Sequence, residues 1–157
     1  MKKDTFIKSW LRVPPDKASG GSEIPAQQSP KKVPVMLVQV RDDDIERAAS
    51  LIATVVESVS AADGTIFHII SSIIVATFDF GFNDLTDAES RCQAAAQSVH
   101  RILQNDCKIL YGSPVAIYGN FGTPTRIHHG PFFRGISDFL EQLRKMDFGS
   151  VDTLSGS

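Results

Sequence analysis

Cysteine is scarce in this chain: Cys92 and Cys107 are the only two among 157 residues, and no C-x-x-C spacing joins them. Neither a disulfide framework nor a zinc knuckle is indicated, and a reducing compartment fits. No apolar run approaches the roughly 20 residues that span a bilayer, and the amino terminus lacks the apolar core of a secretory signal. The expectation is a cytoplasmic protein without a membrane span. An excess of cationic charge is missing too. Sixteen Lys and Arg stand against eighteen Asp and Glu, a net charge of −2, which gives no long-range pull on nucleic acid or an anionic membrane. Nucleic acid is therefore not an expected partner. Internal repeats are absent, and so is the G-x-S-x-G elbow of a serine hydrolase.

Apolar residues make up 42% of the chain, enough for one compact domain. Residues 1–32 do not belong to it. Lys2, Lys3, Lys8, Arg12 and Lys17 are followed by Pro14-Pro15, Gly20-Gly21 and Lys31-Lys32, a composition that buries too little to offset its ordering entropy. This reads as a flexible or disordered arm. Within it Phe6, Ile7, Trp10, Leu11 and Val13 suit either loose packing or a short amphipathic turn, so residues 6–13 are a candidate protein-docking segment. The domain is expected over 33–152, with a polar tail at 153–157.

Val33 to Val40 reads as a buried first strand with Pro34 at its entry and Gln39 as its one polar side chain. Asp43 and Glu46 have capping-box spacing ahead of a helical stripe of Ile45, Ala49, Ile52, Val56 and Val59. Asp42, Asp43 and Asp44 are weak metal candidates, and helix capping accounts for them without any ion. Gly64 to Phe78 holds two β-branched runs around Ser71-Ser72, a buried hairpin whose tip serines point into open space. A loop from Asp79 to Asp87 follows, with Phe80 and Phe82 folding back.

A second helix, opened by Thr86 or Asp87, carries Ala88, Cys92, Ala95, Val99, Ile102 and Leu103 on its apolar stripe, with Cys92 as inert packing and His100 on the polar side. Lys108 to Tyr118 is a strand, or two, broken at Gly112-Ser113-Pro114. Tyr118 to Pro124 reads as a glycine-rich turn, and Thr125 to His129 as the return strand. His128 and His129 alternate across that strand, which keeps them from gripping one metal. A last helix presents Ile136, Phe139, Leu140, Leu143 and Met146. The order strand, helix, hairpin, helix, hairpin, helix describes an α+β fold, an antiparallel sheet with helices on one face. A receiver domain is disfavoured, because receivers alternate strand and helix where this chain has two strands back to back.

Gly64, His68, Ser71-Ser72 and Ala76-Thr77-Phe78, together with Tyr118-Gly119-Asn120-Phe121-Gly122-Thr123-Pro124-Thr125-Arg126, resemble two segments of the class III nucleotidyl (adenylyl and guanylyl) cyclase homology domain. The similarity spans about Val33 to Val151. It implies a ferredoxin-like antiparallel sheet with helices on one face, as in those catalytic domains. It also implies a chemistry in which two aspartates hold two metal ions for in-line attack on the α-phosphate. Carried across by position, the first aspartate becomes Gln39 and the second Ser72. The purine-selecting lysine becomes His68 and its partner His128, and the asparagine and arginine of the last helix become Ser137 and Glu141.

A neutral amide and a hydroxyl make a poor set for hard divalent cations, and a glutamate in place of a cation repels phosphate. The resemblance thus implies a degenerate domain, with no catalytic residues and no cofactor expected; Mg or Mn enters only with residual cyclase activity. The family pairs head to tail, which implies a homodimer or a heterodimer with a related domain, serving dimerisation, regulation or signalling. Two other functions stay open: a nucleotide- or small-molecule-binding domain using His68, Ser72 and His128, and a weakly active cyclase drawing metal ligands from Asp42, Asp43 or Asp44.

Overall fold

The computed structural model describes residues 29–78 and 87–154. The Asp79–Asp87 loop with Phe80 and Phe82, apart from Asp87 itself, and the docking segment 6–13 lie outside the described residues. The chain runs β1 (Lys31–Lys32), β2 (Val35–Val40), α1 (Ile45–Ala61), β3 (Thr65–Ile70), β4 (Ile73–Thr77) and α2 (Ala88–Leu103). It continues through a 3-10 turn (Gln104–Asp106), β5 (Cys107–Gly112), β6 (Val115–Thr123), β7 (Arg126–Phe133), α3 (Ile136–Lys145) and β8 (Val151–Thr153).

Two sheets form. The larger has the order β3-β4-β2-β5-β8 and the smaller β1-β6-β7. Every pairing in the first four strands is antiparallel, and β8 adds in parallel to β5. The connection β2-α1-β3 leaves a gap that β4 fills, the split crossover of a ferredoxin-like α+β fold.

Alternation along β2 decides the layering. Met36, Val38 and Val40 enter a core with Val55, Val59, Cys92, Ala95 and Val99 from α1 and α2. Val35 and Leu37 enter a second core with Tyr118, Phe133, Phe139 and Leu143. The expectation of helices on one face is thus corrected: α1 and α2 cover one face of the large sheet, while α3 and the small sheet cover the other. A strand buried on both sides carries apolar residues at both parities, as Val-Met-Leu-Val does.

Several local expectations shift. The cap of α1 is Asp44, not Asp43; its Oδ1 accepts from the Glu46 and Arg47 amides at 3.0 and 3.3 Å. The buried stripe of α1 is Ala48, Val55 and Val59, with Leu51 and Ile52 partly buried, and Ile45 stands 83% exposed. Ile102 is likewise exposed, while Leu103 is buried. His100 is half-buried rather than on a polar surface, its Nε2 within 3.0 Å of the Gly149 carbonyl oxygen.

The hairpin's first strand is an open edge rather than a buried one, with Phe67, Ile69 and Ile70 exposed. The glycine-rich stretch is strand up to Thr123, so the second turn narrows to Pro124-Thr125. At Gly122, with φ +134°, a Cβ would collide with the Arg126 carbonyl oxygen. Pairing also extends past the expected domain edges. Lys31–Lys32 pair with β6, Thr153 pairs with Tyr111, and Leu154 is buried.

Both thiols are buried. The Cys92 Sγ–H donates to the Val35 carbonyl oxygen at 3.7 Å, and its pKa is pushed up to about 12, first by burial and then by Glu89. That of Cys107 rises to about 11, by burial and then by Asp106. Burial also raises Tyr118. A raised acid pKa contributes stability that is complete below the unfolded value, near 9.0 for a thiol, and is lost as pH climbs through the folded one. Urea unfolding midpoints should therefore fall between pH 9 and 12, and less steeply in the Cys92→Ala, Cys107→Ala double variant. An equal slope in both proteins would contradict this.

Candidate functional site

The sheet brings together the two positions at which the resemblance places metal carboxylates. Gln39 pairs across strands with Ile73, and the neighbouring Val40 amide donates to the Ser72 carbonyl oxygen at 3.0 Å. Ser71 takes the positive φ of 54° that closes this tight turn. The hairpin tip thereby folds against the end of β2. Ser72 is consequently 5% exposed, so the expectation of two serines aimed into open space holds for Ser71 and fails for Ser72.

On its other side Gln39 pairs with Lys108, and directly opposed residues share a face at neighbouring distance. Lys108 is buried, its ammonium donating to the carbonyl oxygens of Arg144 and Met146 at 3.1 and 3.0 Å. It also lies 5.1 Å from the Phe148 ring centroid. These carbonyls end α3, where a cation complements the helix dipole. Desolvation lowers the Lys108 pKa, with Asp147 raising and Arg144 lowering it in turn. Arg41, two residues beyond Gln39, stacks 4.4 Å from the same ring and lies 3.6 Å from Asp106, which Arg47 also reaches. An amide, a buried hydroxyl and an adjacent ammonium do not form a donor set for a hard divalent cation.

Asp42 and Asp43 are exposed, and Asp44 is engaged in capping. Among the described residues no group of three His, Cys, Asp or Glu side chains stands close enough to hold a metal. His68 is exposed on β3 and His128 exposed on β7, opposite Phe121. They belong to different sheets, and among the described residues no hydrogen bond or ring contact joins them. Ser137 and Glu141 lie one turn apart on the exposed side of α3. Glu141 is engaged by Arg144 through Nε at 3.2 Å and through Nη2. That hydrogen bond holds the Glu141 carboxyl below its usual range. A cleft of about 300 Å³ beside α2, walled by Glu89, Cys92, Gln93 and Tyr111, contains none of these candidates.

The buried Lys108 is the polar residue that sequence reasoning passed over. For Lys108 the signal was present: a lysine at one position of an otherwise apolar strand, Cys-Lys-Ile-Leu.

The fold is that of nucleotidyl cyclase catalytic domains. The catalytic core of a rhodopsin-guanylyl cyclase with converted specificity, in complex with ATPαS, superposes with a TM-score of 0.63 at 9% identity, over 82% of this chain and 79% of that one. The non-canonical dimeric guanylyl cyclase domain of the RhoGC fusion protein from Blastocladiella emersonii matches at TM-score 0.58 and 8% identity, over 79% and 80%. The adenylyl cyclase CyaB from P. aeruginosa matches at 0.52 and 16%, over 80% and 77%. No family model and no curated protein matches the sequence. Among the described residues no helix is long and apolar enough to cross a membrane.

Proposed function

We propose that this chain is a non-catalytic cyclase-like domain that serves as a dimerisation, regulatory or signalling module, pairing with itself or with a related domain. The observation that carries this reading is the trio Gln39, Ser72 and Lys108. Where the cyclase resemblance places two metal carboxylates, this chain has two neutral side chains, and a buried ammonium stands in register beside the first. Glu141 points the same way, since its charge is spent on Arg144 at a position where the resemblance expects a cation. Dimeric assembly is carried over from the resemblance; the guanylyl cyclase domain of the RhoGC fusion protein is itself seen both as a non-canonical dimer and as a monomer.

The test is turnover of ATP and GTP with Mn²⁺ by the purified chain, with light scattering for mass. No cyclic nucleotide above the protein-free blank, and a dimer mass, are the expected results. Cyclic nucleotide formation that disappears on replacing Asp42, Asp43 and Asp44 by Asn would overturn the reading.

A further inference from the structure

A net charge of −2 conceals a segregation. Between Asp106 and Asp138 the chain carries no carboxylate, and this stretch contains the whole of β6 and β7. Strand register sorts their side chains. Ala116, Tyr118 and Phe133 face the core. The opposite face presents, in successive cross-strand rows, Val115 beside Arg134, Ile117 with Phe132, Gly119 with Gly130, Phe121 with His128, and Thr123 with Arg126. Its centre is apolar. Phe132 is 63% exposed, and its ring lies 6.3 Å from that of Phe121, across the paired glycines. Its two ends are cationic, with Arg134 at one and Arg126 at the other, both exposed. Among the described residues neither arginine has a carboxylate partner.

We propose that this outer face of the small sheet docks on an anionic lipid surface. Charge complementarity selects the occupant. Symmetric pairing of the face with a second copy would set Arg126 and Arg134 against like charges. Recognition of a folded acidic protein would call for directional polar groups, and the centre of the face offers the exposed Phe132 with half-buried Ile117 and Phe121, its two glycines being buried. A fluid anionic bilayer requires only shallow insertion of apolar groups with cations at the headgroup level, each near-surface Lys or Arg strengthening binding roughly fivefold.

The same chemistry continues along the chain. β1, the far edge of this sheet, is Lys31–Lys32, and its register sets Lys32 beside the outer-face Val115 and Lys31 beside the core-facing Ala116. The first 32 residues hold seven basic against three acidic residues, with Phe6, Ile7, Trp10 and Leu11 among Lys2, Lys3, Lys8 and Arg12. The basic first 32 residues thus lead into β1, which pairs with β6 of the same sheet, while residues 33–157 are acidic overall, with nine basic against fifteen acidic residues.

The experiment is co-sedimentation of the full chain with phosphatidylcholine vesicles with and without phosphatidylserine. Binding should require phosphatidylserine and weaken with salt. It should fall at least tenfold in the Arg126→Glu, Arg134→Glu double variant and severalfold in Phe132→Ser, each checked for an unchanged circular dichroism spectrum and melting midpoint. No binding of the wild type would overturn the proposal. So would binding that these variants leave unchanged, because the arm would then act alone. A loss of dimer mass in Phe132→Ser without vesicle binding would assign the face to a second copy, and binding to polyglutamate but not to vesicles would assign it to an acidic protein; both overturn it.

Discussion

Gly64→Ala should destabilise the fold by about 3 kcal/mol, near the upper end of overpacking costs. A Cβ at this position would sit 2.6 and 2.8 Å from two ring carbons of Phe78 and 2.9 Å from a methyl of Val59. Phe78 and Val59 are both buried, so neither can swing away. Gly64 also donates its amide to the Val59 carbonyl oxygen at 2.8 Å, which fixes its backbone at the end of α1. The conflict is local and partner-specific. Phe78→Leu should therefore destabilise the wild type yet recover part of the Gly64→Ala loss, giving a favourable coupling in a double-mutant cycle measured by urea unfolding. Strict additivity of the two losses would contradict this account of the contact.

Lys108→Ala is expected to cost about 2–3 kcal/mol, because it removes charge-assisted hydrogen bonds to two carbonyls at the end of α3. Lys108→Met keeps the apolar stem and should lose less. The sign with pH distinguishes the ammonium from mere packing. A base whose folded pKa is depressed below 10.5 leaves the unfolded chain binding more protons in that window. Wild-type stability relative to Lys108→Met should then grow as pH rises through the folded value towards 10.5. The buried thiols, common to both proteins, cancel in the comparison. A difference that shrinks with rising pH would indicate that the ammonium is stabilised in the fold rather than desolvated.

Much of this architecture was legible in the residues. Two β-branched runs around Ser71-Ser72 sufficed for the hairpin, and the apolar alternation of α2 located its buried face at Ala88, Cys92, Ala95 and Val99. The α1 face was misplaced because that helix carries two overlapping apolar stripes of the same period. Tertiary contact with the sheet chose Ala48, Leu51, Val55 and Val59, and left Ile45 beyond the sheet. The second covered face was written into β2, whose apolar residues occupy both parities, but a helix count alone does not say on which face α3 lands.

At the candidate site, Gln39 and Ser72 were singled out by the cyclase resemblance, and the β2–β4 register brings the two positions together. The Lys108 ammonium beside Gln39 was not singled out, because it depends on the β2–β5 register, a non-local pairing across nearly seventy residues. Similarly, the basic face of the small sheet emerges only once β6 and β7 are paired, since sequence order interleaves its residues with those of the core.

The most direct measurement of the central claim is isothermal titration of the purified chain with non-hydrolysable ATP and GTP analogues, with and without Mn²⁺. With Gln39, Ser72 and Lys108 in place of a carboxylate pair, Mn²⁺ should add no heat of binding to either analogue. A saturable, metal-dependent heat near one nucleotide per site would show that the chain holds the metal after all, and would contradict the account.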